Sequence, residues 1–150
     1  MHSFSRRNAI LLILSAATST FATALRSNAA EEEPLAIKGY DAVAYFTDGK
    51  PLRGIPDYEY QWDEHRYRFA SAEHRDLFKA DPVRYAPQFG NYCAMSLAGS
   101  EIVEADPENW LISDGKLYIF GKSIGPALFQ RNLAENVARA NRNRDLLQKH

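Results

Sequence analysis

The stretch Tyr58-Glu-Tyr-Gln-Trp62, followed by Asp63-Glu-His65 and then by Arg66-Tyr-Arg-Phe69, decides the fold. Aromatic residues occupy every second position on both sides of a short polar segment. A period of two is typical of paired strands that bury one face. The pattern therefore predicts a β-hairpin that presents five aromatic side chains on one side: Tyr58, Tyr60, Trp62, Tyr67 and Phe69.

Helix signals follow this hairpin. Ser71 is a typical N-cap for a helix that begins directly after it. Asp81-Pro82 begins a second short helix, and residues 92–98 are predicted as a third, which Gly99 ends. These helices are short enough to pack as a single layer against the hairpin.

The second half of the chain repeats the change from strand to helix. Trp110-Leu-Ile-Ser and Lys116-Leu-Tyr-Ile-Phe120 flank Asp114-Gly115, a dipeptide that favours a tight hairpin turn. From about Ile124 the apolar residues follow a helical period. The predicted fold class is α+β: two β-hairpins with short helices packed on one side and a C-terminal helix.

The first 29 residues have the composition of an export signal. Arg6-Arg7 precedes an apolar segment at 9–25, and small residues at 27–29 suit cleavage. The arginine pair predicts a bacterial twin-arginine signal, with a general secretory signal and an uncleaved membrane anchor as the alternatives. Because 9–25 is shorter than the about 20 apolar residues of a spanning helix, we expect a periplasmic protein without a stable membrane span after cleavage.

The remainder of the chain has the length of one domain. Residues 30–36 are predicted as a flexible acidic leader, and residues 37–150 as one domain with a C-terminal helical extension. The formal net charge of the whole chain is −1, and loss of the three arginines in the signal makes it more negative. Nucleic acid is therefore not expected as a partner, because its binding usually requires a basic face.

Five motifs follow one another along the domain: Gly39-Tyr-Asp-Ala-Val-Ala-Tyr-Phe46, Tyr67-Arg-Phe-Ala-Ser71, Phe78-Lys-Ala-Asp-Pro-Val-Arg-Tyr85, Gly90-Asn-Tyr-Cys-Ala94 and Asp114-Gly-Lys-Leu-Tyr118. Together they resemble the YHS-domain family in its small exported bacterial branch, over about residues 37–129. The resemblance implies a relation to small metal-binding domains built on a β-hairpin and a helix. In the metal-binding members a cysteine follows the strand and a second lies four residues later. Here Ala70 and His74 take those positions, so that thiolate pair is missing.

Three residues are candidate metal ligands: Cys93, His74 and Met95. Cys93 is the only cysteine of the chain, so it forms no internal disulfide. It lies near the start of a predicted helix, where free N–H groups stabilise a thiolate, although free cysteines are often buried as small hydrophobes. His74 is either a ligand through a neutral ring nitrogen or an ordinary surface or capping histidine. Met95 adds a thioether, although filling the core is its commoner role.

The Gly39-Tyr-Asp motif suggests two further residues. In the resembling family it belongs to the same signature as the Cys93 segment, so Tyr40 and Asp41 are expected to line the same pocket; alternatively, Asp41 caps a turn. A nucleophile pair of Cys93 and His74 with Asp41 as orienter would be an enzyme site. The common catalytic motifs are missing from the sequence, so an enzyme is not the favoured interpretation.

The leading hypothesis is a periplasmic, metal-related binding module. Thiolate, thioether and imidazole ligands together favour copper as Cu(I). The alternative is a structural or interaction domain without a metal, whose aromatic face docks another protein or a second copy of the chain. Metal analysis of the purified protein separates these two classes.

Overall fold

The computed structural model describes residues 32–149, so the predicted export signal at 1–29 lies outside the described residues. The described chain contains two antiparallel two-stranded sheets and several short helices. The predicted α+β class is therefore confirmed. Between residues 32 and 149, no helix combines the length and the apolar character that crossing a membrane requires.

The α-helices are short; one precedes the first strand, and the others follow one or the other hairpin in sequence. Their bounds are α1 (Ala44–Thr47), α2 (Ala72–Ala80), α3 (Pro82–Tyr85), α4 (Ala94–Ala98), α5 (Gly125–Arg131) and α6 (Leu133–Arg142). The N-cap predicted at Ser71 is present, since its Oγ accepts a 3.1 Å hydrogen bond from the backbone N–H of His74. The C-terminal helical segment is broken at Asn132, whose φ of −135° and ψ of 56° are not helical.

The helix predicted at 92–98 begins later than expected. Cys93 is the N-cap of α4, with an extended backbone at φ −66° and ψ 117°. Its Sγ accepts a 3.5 Å hydrogen bond from the N–H of Ser96. The cysteine therefore acts as a capping side chain, a role that serine and threonine fill more often.

Strands β1 (Ile55–Trp62) and β2 (His65–Phe69) form the first sheet. The turn residues Asp63 and Glu64 both have positive φ, as a two-residue type I′ hairpin requires. Tyr67 and Phe69 are buried, while three aromatic residues of β1 are half-buried: Tyr58, Tyr60 and Trp62. The sheet thus has the predicted aromatic face.

This aromatic face packs inside the molecule. The ring of Phe78 from α2 is fully buried and has its centroid 4.5 to 6.3 Å from four rings of the sheet: Tyr60, Trp62, Tyr67 and Phe69. Aromatic pairs at such distances contribute about 0.5–1.5 kcal/mol each beyond the burial of their area. Phe78 therefore fixes α2, and the histidine in its first turn, against the sheet.

The second sheet consists of β3 (Asp106–Ser113) and β4 (Lys116–Phe120). Asp114 and Gly115 both have positive φ, which confirms the predicted hairpin turn. This sheet packs against a core cluster separate from the one around Phe78, called the second core cluster below. In it, the ring of Phe120 lies 5.4 Å from that of Phe129 in α5.

The described part of the acidic leader, residues 32–36, contacts β2 through hydrogen bonds to Arg66. The backbone N–H of Arg66 donates to the carbonyl of Pro34 at 2.9 Å, and its Nε donates to the carbonyl of Glu33 at 3.0 Å. An edge strand presents unpaired backbone groups that a neighbouring segment can satisfy. The leader thereby forms part of the fold from residue 32 onward.

Candidate functional site

Asp41 is a carboxylate with no solvent exposure. Its Oδ1 accepts hydrogen bonds from the N–H groups of Val43 at 2.8 Å and Ala44 at 3.2 Å, and its Oδ2 accepts one from Ala70 at 2.9 Å. Within residues 32–149, no lysine or arginine lies within 4.0 Å of it. The N–H groups therefore supply much of the stabilisation that a buried carboxylate needs. Asp41 caps the turn before α1, as one of the two sequence interpretations proposed.

The backbone holds this turn against the first hairpin. Asp41 donates its N–H to the carbonyl of Leu52 at 2.8 Å, and Gly54 donates to the carbonyl of Gly39 at 2.8 Å. A Cβ at Gly54 would lie 2.3 Å from the carbonyl carbon of Arg68, so only glycine permits this close approach. The position of Asp41 is thus set by β2 as well as by its own motif.

His74, in the first turn of α2, lies within hydrogen-bond distance of Asp41. Its Nδ1 lies 2.6 Å from Oδ2 of Asp41, and 15% of its side chain is exposed. Because an ionised carboxylate only accepts hydrogen bonds, Nδ1 carries the proton and donates it. In the neutral ring, Nε2 is then left with a free lone pair.

Nε2 of His74 faces two oxygen atoms at the end of α1. The hydroxyl Oγ1 of Thr47 lies 3.2 Å from it, and Oδ2 of Asp48 lies 3.5 Å from it. Thr47 and Asp48 are exposed residues, and their two oxygen atoms are 3.0 Å apart. The site therefore lies where the C-terminus of α1 meets the first turn of α2, with Asp41 buried behind it.

Sequence reasoning found His74 and Asp41 but missed Thr47 and Asp48. These two residues directly follow the Gly39–Phe46 motif, and Asp48 begins a turn-forming stretch, Asp48-Gly-Lys-Pro51. That adjacency is the only signal in the sequence. Thr47 and Asp48 lie 26 residues or more before His74, so no local pattern connects them with it. Only the packing of α2 on the sheet brings the two segments together.

Cys93 and Met95 belong to a different part of the core. Cys93 is 5% exposed, lies in the second core cluster and donates its N–H to the carbonyl of Val103 at 2.8 Å. Met95 packs against the same cluster. In the described part of the chain, no hydrogen bond or ion pair joins Cys93 to His74. The structure thus brings His74 together with Asp41, and Cys93 with Met95, but does not pair these two sets by polar contacts.

The Cys93 segment does contact the Gly39-Tyr-Asp region, through another residue. Oδ1 of Asn91 accepts a 2.7 Å hydrogen bond from the N–H of Ile37. Ile37 has a positive φ of 49°, a strained conformation for a β-branched residue. The two motifs are therefore neighbours, and Asn91 rather than Cys93 provides the described hydrogen bond between them.

The side-chain set of the site limits its chemistry. Among residues 32–149, no three or more His, Cys, Asp and Glu side chains are grouped so as to hold a metal ion. Around Nε2, His74 and Asp48 provide two such side chains, and the hydroxyl of Thr47 is a third donor of another type. The order of hydroxyl, imidazole and buried carboxylate also resembles that of a nucleophile triad. Oγ1 of Thr47, however, also lies 3.2 Å from the carbonyl oxygen of Val43 and 3.0 Å from the carboxylate Oδ2 of Asp48, so its proton has competing acceptors.

Comparisons of the chain with known protein families, with curated proteins and with solved structures find no match. The resemblance to the YHS-domain family therefore stays a prediction from the motifs.

Proposed function

We propose that the protein is a periplasmic binding module for a transition metal, copper being the first candidate, and that Nε2 of His74 is its primary ligand. The observation that carries the proposal is the 2.6 Å contact between Nδ1 of His74 and the buried carboxylate of Asp41. A histidine that binds a metal commonly donates its other N–H to a carboxylate, which fixes the tautomer and raises the basicity of the ligand nitrogen. Imidazole nitrogen suits copper, zinc, iron and nickel.

A purely structural role would explain less of the geometry. Asp41 already accepts three backbone N–H groups, which link the turn before α1 to the end of β2. The contact with His74 adds an imidazole whose second nitrogen faces the exposed oxygens of Thr47 and Asp48. The contact with Asp41 fixes the ring, and the direction of Nε2 towards these exposed residues is what a ligand nitrogen requires.

Cys93 and Met95 stay candidates for a separate Cu(I) site. Binding there would require the thiol to leave its hydrogen bond with the N–H of Ser96 and its packing in the second core cluster. For these reasons we rank His74 above Cys93 as the first ligand.

The alternative function, docking through the aromatic face, gains no support from the packing. Four of its five rings lie against Phe78, and only parts of Tyr58, Tyr60 and Trp62 are left for a partner. We therefore do not propose this face as a docking surface.

Competition titration tests the proposal. Protein purified without an affinity tag is titrated with Cu²⁺ and Zn²⁺ against a chromogenic chelator, together with the variants His74→Gln, His65→Gln and Cys93→Ser. We expect His74→Gln to weaken binding by more than about tenfold, since losing only an outer-shell partner of a ligand costs about 10- to 100-fold. The matched control His65→Gln, and Cys93→Ser, should bind as the wild type does. Equal affinity of the wild type and His74→Gln would overturn the proposal, and a selective loss in Cys93→Ser would move the site to the thiol.

A further inference from the structure

We infer that Asp48 and Thr47 supply the second and third donors of the His74 site, and that this donor set selects a divalent ion such as Zn²⁺ or Cu²⁺ over Cu(I). The inference rests on the metal-binding function proposed above. It assigns two residues that the sequence motifs do not include, and it changes the expected oxidation state of the metal.

The first argument is the spacing of the three donor atoms. Nε2 of His74, Oδ2 of Asp48 and Oγ1 of Thr47 form a triangle with sides of 3.0, 3.2 and 3.5 Å. Ligand atoms about 2.1 Å from one ion are separated by about 3.0 Å in octahedral and about 3.4 Å in tetrahedral geometry. The spacing of the three atoms is therefore that of ligands of a single ion.

A second feature of the site is the number of oxygen lone pairs. Oγ1 of Thr47 lies 3.0 Å from Oδ2 of Asp48 and 3.2 Å from the carbonyl oxygen of Val43. A hydroxyl has one proton and two lone pairs, and an ionised carboxylate oxygen only accepts hydrogen bonds. A cation in the triangle would be bound by lone pairs that the single hydroxyl proton does not use.

The third argument is the charge around the site. Two carboxylates, Asp41 and Asp48, flank one imidazole. Within residues 32–149, neither carboxylate has a lysine or arginine partner within 4.0 Å. The surrounding charge therefore favours a cation, and among the described residues no lysine or arginine side chain neutralises these carboxylates.

The chemistry of the donors sets the class of ion. One imidazole nitrogen, one carboxylate oxygen and one hydroxyl oxygen contain no sulfur, and Cu(I) is selected by sulfur ligands. A nitrogen donor also favours Zn²⁺ or Cu²⁺ over Mg²⁺ and Ca²⁺, which prefer oxygen. Because Thr47 and Asp48 are exposed, the remaining coordination positions face water. Such an open site suits reversible binding better than a permanent structural role.

Two variants of the donor set test the inference. Asp48→Asn keeps the size of the side chain and removes its charge, and Thr47→Val keeps the shape and removes the hydroxyl. Asp76→Asn, at an exposed carboxylate on the same helix as His74, is the matched control. We expect Asp48→Asn to weaken Zn²⁺ and Cu²⁺ binding by about tenfold, Thr47→Val to weaken it severalfold, and Asp76→Asn to leave it unchanged. The spectrum of the Co²⁺-loaded wild type should lack a thiolate charge-transfer band.

The outcomes separate this inference from the proposed function. If His74→Gln weakens binding while Asp48→Asn binds as the wild type does, the proposed function stands and the donor set is overturned. Unchanged binding in Thr47→Val removes the hydroxyl from the donor set. A wild type that binds neither Zn²⁺ nor Cu²⁺, or a Co²⁺ spectrum with a thiolate band that disappears in Cys93→Ser, overturns both the inference and the assignment of His74. Circular dichroism of each variant confirms that it is folded during the titration.

Discussion

Replacing Asp41 by asparagine changes one buried oxygen into an amide nitrogen. In one orientation of the amide, its oxygen still accepts hydrogen bonds from the N–H groups of Val43 and Ala44. Its NH₂ group then faces the N–H of Ala70, which donates to the carboxylate at 2.9 Å in the wild type. In the other orientation, the NH₂ group faces Val43 and Ala44 instead. Either way, at least one buried backbone donor loses its acceptor.

The cost follows from these contacts. A hydrogen bond to a charged group contributes about 1.5–3 kcal/mol, and a buried donor left without a partner costs about 1–3 kcal/mol. These two effects overlap, so we expect Asp41→Asn to lower the free energy of unfolding by about 2–5 kcal/mol. The same variant acts on the metal site, because an amide NH₂ that faces Nδ1 of His74 favours the ring tautomer with its proton on Nε2. Metal affinity should then fall by about 10- to 100-fold.

Urea unfolding followed by tryptophan fluorescence measures the first effect, and metal titration of the folded variant measures the second. Asp76→Asn controls for the loss of one negative charge, and should change the free energy of unfolding by less than about 0.5 kcal/mol. If Asp41→Asn unfolds within about 0.5 kcal/mol of the wild type, the hydrogen bonds assigned to its carboxylate are wrong. A stable variant with unchanged metal affinity would show that Asp41 does not set the tautomer of His74.

Phe78→Ala should lower the free energy of unfolding by about 3–5 kcal/mol, and Trp62→Ala by about 2 kcal/mol, because Phe78 is fully buried and Trp62 is half-buried; equal losses in chemical denaturation would contradict this packing. Burial raises the pKa of Tyr45 and Tyr67 above the ordinary value of 10.0, so their contribution to stability is complete below pH 10 and falls as the unfolded chain ionises at higher pH. Tyr45→Phe should therefore reduce the alkaline loss of stability by up to about 1.4 kcal/mol per pH unit, and an unchanged slope would place Tyr45 outside the core. The thiol of Cys93, at 5% exposure, should react with iodoacetamide far more slowly in the folded protein than in urea, and equal rates would refute its burial.

The two hairpins could be predicted because their signals are local. Alternating aromatic residues mark β1 and β2, and Asp114-Gly115 marks the second turn. The boundary of α4 is different, because the sequence does not show whether Cys93 lies inside the helix or caps it. That outcome depends on the extended backbone of Cys93 and on its hydrogen bond with Ser96.

The site could be predicted only in part. The sequence indicates Asp41 because it lies in a motif and His74 because it takes the position of the second cysteine in the resembling family, but their contact joins residues 33 positions apart. Thr47 and Asp48 were missed because their relation to His74 comes from the packing of α2 on the sheet, with Phe78 as its anchor. A side chain that meets its partner only through tertiary packing leaves no periodic pattern in the sequence.

In the proposed site, His74 holds its proton on Nδ1 and offers Nε2 to a metal. Long-range ¹H–¹⁵N NMR of the histidine rings measures both properties at once, and the spectrum of His74→Gln assigns the signals. Before metal is added, we expect Nδ1 of His74 to be protonated and Nε2 not to be. We further expect Zn²⁺ to shift the Nε2 signal of His74 and to leave the ring of His65 unchanged. A proton on Nε2 of the neutral ring, or a titration in which Zn²⁺ leaves the signals of His74 unchanged, would refute the proposed role of His74.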